Sequence, residues 1–160
     1  MNDSVQKQLV VELGRDLVSK IAPQEMPLFQ ANSEAYFKDS QKVLRGQKGK
    51  DEMLGFGTGE VVTFLTPIVL VVMTEVVGFV TEEVKKSIKA ESSNLISEAV
   101  KKMFKKFRTE EEKTLPSLTS EQLEQVRKLA FDRARQLKFS EAQARLMADS
   151  VMGSLVIGPG

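Results

Sequence analysis

The chain has 160 residues, enough for one domain with a sizeable core or for a compact domain with a helical appendage. Its 23 Lys and Arg nearly balance 22 Asp and Glu, so net charge argues neither for nucleic acid nor for an acidic partner. Cysteine and histidine are both absent, which removes disulfides, thiolate chemistry, thiolate metal sites and the side chain most used as a general base near neutral pH. Carboxylates, Lys, Ser and Tyr36 remain, but no spacing in the chain supports a Ser-Lys dyad or a carboxylate-only metal site. We therefore expect a non-enzymatic protein with no catalytic residue, no cofactor and no metal.

Residues 1 to 22 alternate polar and apolar at helical spacing and lack the basic start and apolar run of a signal peptide, so synthesis in the cytoplasm is expected. Asp3 or Ser4 can cap a first helix whose Val5, Leu9, Leu13, Leu17 and Ile21 recur every fourth residue, with Val10 and Val18 widening the stripe. Pro23 stops it. A second helix starting near Pro23 or Pro27 carries Met26, Phe29, Tyr36 and Phe37. From Asp39 to Gly59 the chain turns polar and glycine-rich and reads as a loop. Gly55, Gly57 and Gly59, with Lys48 and Lys50 nearby, could place free amides around a phosphate. Their spacing matches neither a Walker loop nor a dinucleotide fingerprint, and the plainer reading is a hinge.

Residues 61–80 form the most apolar segment. Thirteen of the twenty are Val, Leu, Ile or Phe, and Glu75 is the sole ionisable group. Such a length can cross a bilayer core. The thirteen favour insertion by roughly 4 to 8 kcal/mol, against roughly 2.5 to 3.5 kcal/mol for one central acidic residue and further costs from Pro67, Gly78 and the threonines. The fourteen residues between Glu60 and Glu75 also fit a buried core helix. At about 100° per residue, Glu60, Thr63, Pro67, Thr74 and Gly78 share one narrow stripe with Glu75 at its shoulder. That stripe could pack on neighbouring helices or line a water-filled interior. Pro67 should start or kink the helix. Its beta-branched composition leaves a pair of buried strands as the structural rival.

Onward to Arg108 the chain reads as one long helix, or two meeting near Glu91 to Asn94. Basic residues follow the apolar run: Lys85, Lys86 and Lys89, then Lys101, Lys102, Lys105, Lys106 and Arg108. Leu95, Ile96, Ala99, Val100, Met103 and Phe107 share a face opposite Lys101, Lys105 and Arg108. A basic amphipathic helix of this kind either lies in a headgroup layer or packs its apolar face on its own domain. Arg45, Lys48 and Lys50 flank the other side of the segment, so charge gives no membrane orientation.

Residues 109–118 read as a polar linker. Thr119 with Gln122 and Ser140 with Gln143 each form a capping-box signature, opening two helices that make a hairpin across Lys138 and Phe139. The first carries Leu123, Val126, Leu129, Ala130, Ala134 and Leu137; the second carries Ala144, Met147, Val151 and Leu155. Arg127, Lys128, Arg133 and Arg135 are interleaved with Glu121, Glu124 and Asp132 and have no aromatic platform, which argues for a solvated face rather than nucleic-acid binding.

Ala22-Pro23 with Pro27-Leu28-Phe29, Tyr36-Phe37, Asp51-Glu52-Met53-Leu54-Gly55-Phe56-Gly57, Leu65-Thr66-Pro67 and Leu146-Met147-Ala148-Asp149-Ser150-Val151 span most of the chain. In these motifs the sequence resembles a type of small bacterial protein, mostly uncharacterised, associated with cell-defence or conflict loci. The resemblance implies a bacterial helical protein whose apolar middle acts on membranes, and it brings no functional residue with it. Helical pore formers and apoptosis-type bundles, which hide a membrane-capable helix among amphipathic ones, are an analogy of architecture alone.

The expected fold is an all-α helical bundle around a central apolar helix, with residues 1–108 as one region, 109–118 as linker and 119–157 as C-terminal helical hairpin. The expected function is membrane association, extending to permeabilisation of the bilayer. Insertion of residues 61–80 would be governed by Glu60, Thr63, Pro67, Thr74, Glu75 and Gly78 and supported by the basic residues after them. The partner would be the lipid bilayer, with self-association or a protein partner besides, and the location the inner cell membrane. The alternative is a cytosolic helical adaptor in which the apolar helix is the core.

Overall fold

The structure, a computed structural model, describes residues 3–43, 64–87, 93–109 and 117–156. These residues are helical throughout their regular structure apart from isolated bridge residues, among them Phe104 and Leu155, which pair antiparallel. The order is α1 (Asp3–Ile21), a 3-10 segment (Pro23–Leu28), α2 (Phe29–Lys38), α3 (Thr66–Ser87), α4 (Ser93–Lys102), a 3-10 turn (Lys105–Phe107), α5 (Ser120–Gln136) and α6 (Glu141–Ser154). The glycine-rich stretch after residue 43, Glu60, Thr63, Lys89 and most of the expected linker lie outside the described residues.

α1 buries its fourth-residue stripe, with Leu9, Leu13 and Leu17 in the core together with Val10 and Val18. Ala22 follows it at φ −143° and ψ 64°, outside the α region, which a residue before proline disfavours. The 3-10 segment carries Pro23 in its first turn and Pro27 within, and it delivers the chain into α2, where Phe29 and Tyr36 turn inward.

α3 is the centre of the bundle. It opens at Thr66 with Pro67 in its first turn, where the missing N–H costs no intrahelical bond, so Pro67 begins the helix rather than kinking it. Every residue from Thr66 to Met73 is buried, and Val76, Val77, Val80, Thr81 and Val84 continue the inward face. A helix that is apolar all round must be enclosed. Here α1, α2, α4 and α5 all pack on it. α1 crosses so closely at Gly14 that a Cβ there would stand 2.9 Å from Leu70 Cδ2. The threonines do not leave hydroxyls stranded in this core: Thr74 and Thr81 each donate to the carbonyl one turn back, those of Leu70 and Val77, both at 2.7 Å.

The described residues between 68 and 102 belong to two helices, α3 and α4, and the expected meeting point near Glu91 lies in part outside the described residues. The following turn tucks Phe104 fully inside, where it bridges to Leu155 while Val156 N donates to Met103 O at 2.8 Å. This contact ties the end of α6 to the end of α4.

Both capping boxes at the starts of α5 and α6 form reciprocally, Thr119 with Gln122 and Ser140 with Gln143. Between the helices Lys138 adopts φ 77°. Phe139 N donates to Ala134 O and Lys138 N to Arg135 O, the bond pattern of a Schellman turn with lysine where glycine is usual. Phe139 and Ala134 are both buried, supplying the apolar contact that accompanies such turns. The hairpin packs on α3 through α5 and on α1 through α6, so its Val126, Ala130, Met147 and Val151 belong to the same core cluster as Leu9 and Val69.

Candidate functional site

Among the described residues α3 meets polar groups from the rest of the chain at its first turn, around Glu75, and at Glu83, which accepts from Gln122 Nε2 of α5 at 3.3 Å. At its first turn the Glu25 carboxylate, only 6% exposed, receives Leu65 N at 2.7 Å on one oxygen and Thr66 N at 2.9 Å with Thr66 Oγ1 at 2.7 Å on the other. The early amides of a helix have no intrahelical acceptor, and a carboxylate there also meets the positive end of the helix dipole. Glu25 thus caps α3 from forty residues away in sequence, locking the 3-10 segment onto the central helix.

The second junction surrounds Glu75. Arg133 Nε from α5 lies 3.0 Å from Glu75 Oε2, and Arg133 Nη1 donates to Gln136 Oε1 at 2.9 Å. The approach to Glu75 is an ion-pair distance without hydrogen-bond angles, so Nε is buried opposite a charge yet has no directed acceptor. The pair's side chains are 41% and 35% exposed, which limits its strength to about 0–1 kcal/mol. Tyr36 from α2 stands in the same group. Burial pushes its hydroxyl pKa above the ordinary value of 10.0, against the hydrogen-bonding contact with Thr74; the Glu75 charge adds to the rise and Arg133 opposes it.

Of the residues expected to govern insertion, Thr74 and Glu75 are thus brought together with Tyr36 and Arg133, while Pro67 is buried a helix turn and more away. Gly78 has open space where a Cβ would be. Glu60 and Thr63 lie outside the described residues.

The basic residues after the apolar segment are largely engaged. Lys85 pairs with Glu82 at 3.5 Å, Lys86 with Glu83 at 3.0 Å, Lys101 with Glu98 at 4.0 Å and Lys106 with Asp16 of α1 at 3.2 Å. Lys102 donates to Phe107 O at 3.0 Å, Arg108 is also engaged, and Lys105 is exposed. Lys86 first, then Gln122, hold the Glu83 carboxyl below its ordinary value against the opposing effect of desolvation. α4 turns Ile96 and Val100 inward, and Met103 just beyond it is also buried, while Leu95, expected on that apolar face, is 59% exposed.

A concavity of about 790 Å³ runs along α5 and α6. Phe131 and Ala148 line it between charged residues of both signs, and Arg127 Nη1 meets Asp149 Oδ1 at 2.6 Å between the two helices. Among the described residues no acidic cluster could hold a metal ion, and no helix is long and apolar enough to cross a membrane. The expectation of a transmembrane helix finds no support in the described helices. Comparison with protein-family models, curated proteins and solved structures finds no match to this chain.

Glu25 has no place in the sequence reading, since it carries no helical period and its partners are forty residues away. Its one signal is an acidic residue between Pro23 and Pro27, ahead of the apolar Phe29. Arg133 reads from sequence as one of several surface charges, because only the packing of α5 on α3 sets it opposite Glu75.

Proposed function

We propose that the chain is a non-enzymatic helical interaction module in which α3 serves as the core and the α5–α6 hairpin carries the partner surface. The observation that supports this reading is the sheathing of α3: thirteen of its residues are buried against the chain's own helices. Apolar area already covered inside one chain is not offered to a lipid or a partner. One surface with depth for recognition is the α5–α6 groove, whose apolar Phe131 and Ala148 between mixed charges suit a peptide or helix of a protein partner more than a nucleic acid.

Site-specific photo-crosslinking in cells tests this. A photoreactive residue replacing Lys128 or Arg145 on the groove should trap a discrete protein, whereas one replacing Gln8 on the exposed side of α1 should not. Equal yields from all three positions would contradict the reading.

A second reading keeps the same helix for a membrane. Residues 66–73 are apolar or small and buried on every face, and Lys85 and Lys86 stand in the last turn of α3, as a sheathed helix that inserts on a signal requires. Under this reading anionic vesicles leak their contents on mixing with the protein, and the chain resists carbonate extraction from membranes. Under the first it does neither.

A further inference from the structure

The walls around α3 are not held alike. α1 lays Leu9, Val10, Leu13, Leu17 and Val18 into the core, and α5 is backed by α6 through the hairpin. α4 is tied beyond its end, where Phe104 bridges to Leu155. The arm of residues 23–38, made of the 3-10 segment and α2, is fastened differently. α2 buries one narrow stripe, Phe29, Ser33 and Tyr36, and among the described residues it packs chiefly on α3 and the 3-10 segment. Toward α1 it offers ring edges and faces to cations: Lys7 Nζ lies 5.1 Å from the Phe37 ring centre and the Arg15 guanidinium 5.3 Å from that of Phe29. Between α1 and the arm the helix is broken at Ala22 and Pro23. Pro23 has no N–H to continue the ladder, and Glu25 N turns back to Ala22 O at 2.9 Å.

The firmest fastening of the arm is therefore Glu25, whose buried carboxylate takes Leu65 N, Thr66 N and Thr66 Oγ1 at the start of α3. Hydrogen bonds to an ionised group are roughly twice as strong as neutral ones. They are also all-or-none here: once the arm moves out of hydrogen-bond reach, carboxylate and donors pass to water together. One directed cluster at one end and two buried rings along one face make a cooperative unit that can open by itself. We propose that residues 23–38 form a hinged arm that swings off α3 as a unit, with Ala22 and Pro23 as hinge and the Glu25 carboxylate as latch. The other helices keep their hold on α3. Opening uncovers the side of α3 around Thr74, which Tyr36 contacts, and leaves the hydrogen-bond ladder of α3 intact. The inference depends on neither reading of function given above.

The chain has no cysteine, so a single buried thiol reports opening through its rate of reaction with a thiol reagent under native conditions. Ser33→Cys puts one on the buried stripe of the arm, and Ala130→Cys puts one inside α5, at positions 5% and 0% exposed. Each rate is taken relative to that of the same thiol in denaturant, at reagent concentrations where rate is proportional to reagent. The arm thiol should react at least roughly tenfold faster than the α5 thiol, whose exposure requires global unfolding. Adding Val151→Ala in the hairpin core should speed the α5 thiol roughly tenfold or more and leave the arm thiol unchanged. Adding Glu25→Gln should speed both thiols by a similar factor, roughly tenfold, because the latch is broken in the opened and the unfolded state alike. Thr66→Val, which removes one of the three donors and keeps the carboxylate, should speed both by a smaller factor. Equal rates for the two thiols, or a Val151→Ala change that speeds both equally, would overturn the arm as a separate unit. Glu25→Gln or Thr66→Val speeding the α5 thiol alone would overturn the latch.

Discussion

The first turn of α3 and its midpoint both receive an acidic side chain, and the two are built on opposite terms. Glu25 is buried, comes from another segment and satisfies three donors of a helix start. Glu75 belongs to α3 itself, stands half in solvent and faces Arg133 without a directed hydrogen bond. Charge inside an apolar setting persists only where its partners are fixed, whereas charge at a surface is tolerated with little gain. An apolar helix therefore needs its polar anchor at the end, where its own amides are orphaned, and can do without one at the middle.

Removing each anchor in turn should separate them. Glu25→Ala should lower unfolding stability by about 2–4 kcal/mol in urea denaturation, since it leaves two amides and a hydroxyl without their acceptor. Glu75→Ala and Arg133→Ala should each change it by about 0–1 kcal/mol. Comparable losses at both sites would break the distinction. A second contrast on α3 concerns glycine. Gly14→Val should cost about 1–3 kcal/mol, because its side chain drives into Leu70. Gly78→Ala meets nothing within 4 Å and should stabilise the chain by up to about 1 kcal/mol through helix propensity. In the hairpin, Lys138→Gly should relieve a left-handed backbone and gain about 1 kcal/mol.

The mildest probe is the single tyrosine, undisturbed by any tryptophan. Because burial raises the Tyr36 pKa in the folded state, that state holds the phenolic proton more tightly than the unfolded chain does. The stability this contributes is present below the ordinary value of 10.0 and is lost as pH rises through the folded-state value. Tyrosinate absorbance should accordingly titrate at higher pH in buffer than in denaturant. Tyr36→Phe should remove this one component of alkaline destabilisation. A tyrosine titrating identically in both solvents would show that Tyr36 is not buried between α2 and α3.

Much of the fold was legible because local chemistry agreed with tertiary packing. The fourth-residue stripe of α1, the capping boxes of α5 and α6 and the stop at Pro23 are short-range signals, and each lies where its element begins, ends or turns inward. The candidate sites were less legible, because they join residues far apart in sequence. Glu75 is conspicuous as an acid in an apolar run, but hydropathy alone cannot tell a lipid-facing helix from one wrapped by its neighbours, and nothing nearby announces Arg133. The lysines at the end of α3 and beyond it likewise read as a basic surface until their acidic partners are seen in space. Some of these, such as Glu82 and Glu83, were near in sequence and open to an i,i+3 reading, while Asp16 on α1 was not.

The central claim is that α3 is sheathed by its own chain. Amide hydrogen exchange across residues 69–80, with and without anionic vesicles, tests it most directly. The account predicts that these amides exchange only through global unfolding, the slowest in the protein, with protection unchanged by vesicles. Rapid exchange in buffer, or protection that vesicles alter, would contradict it.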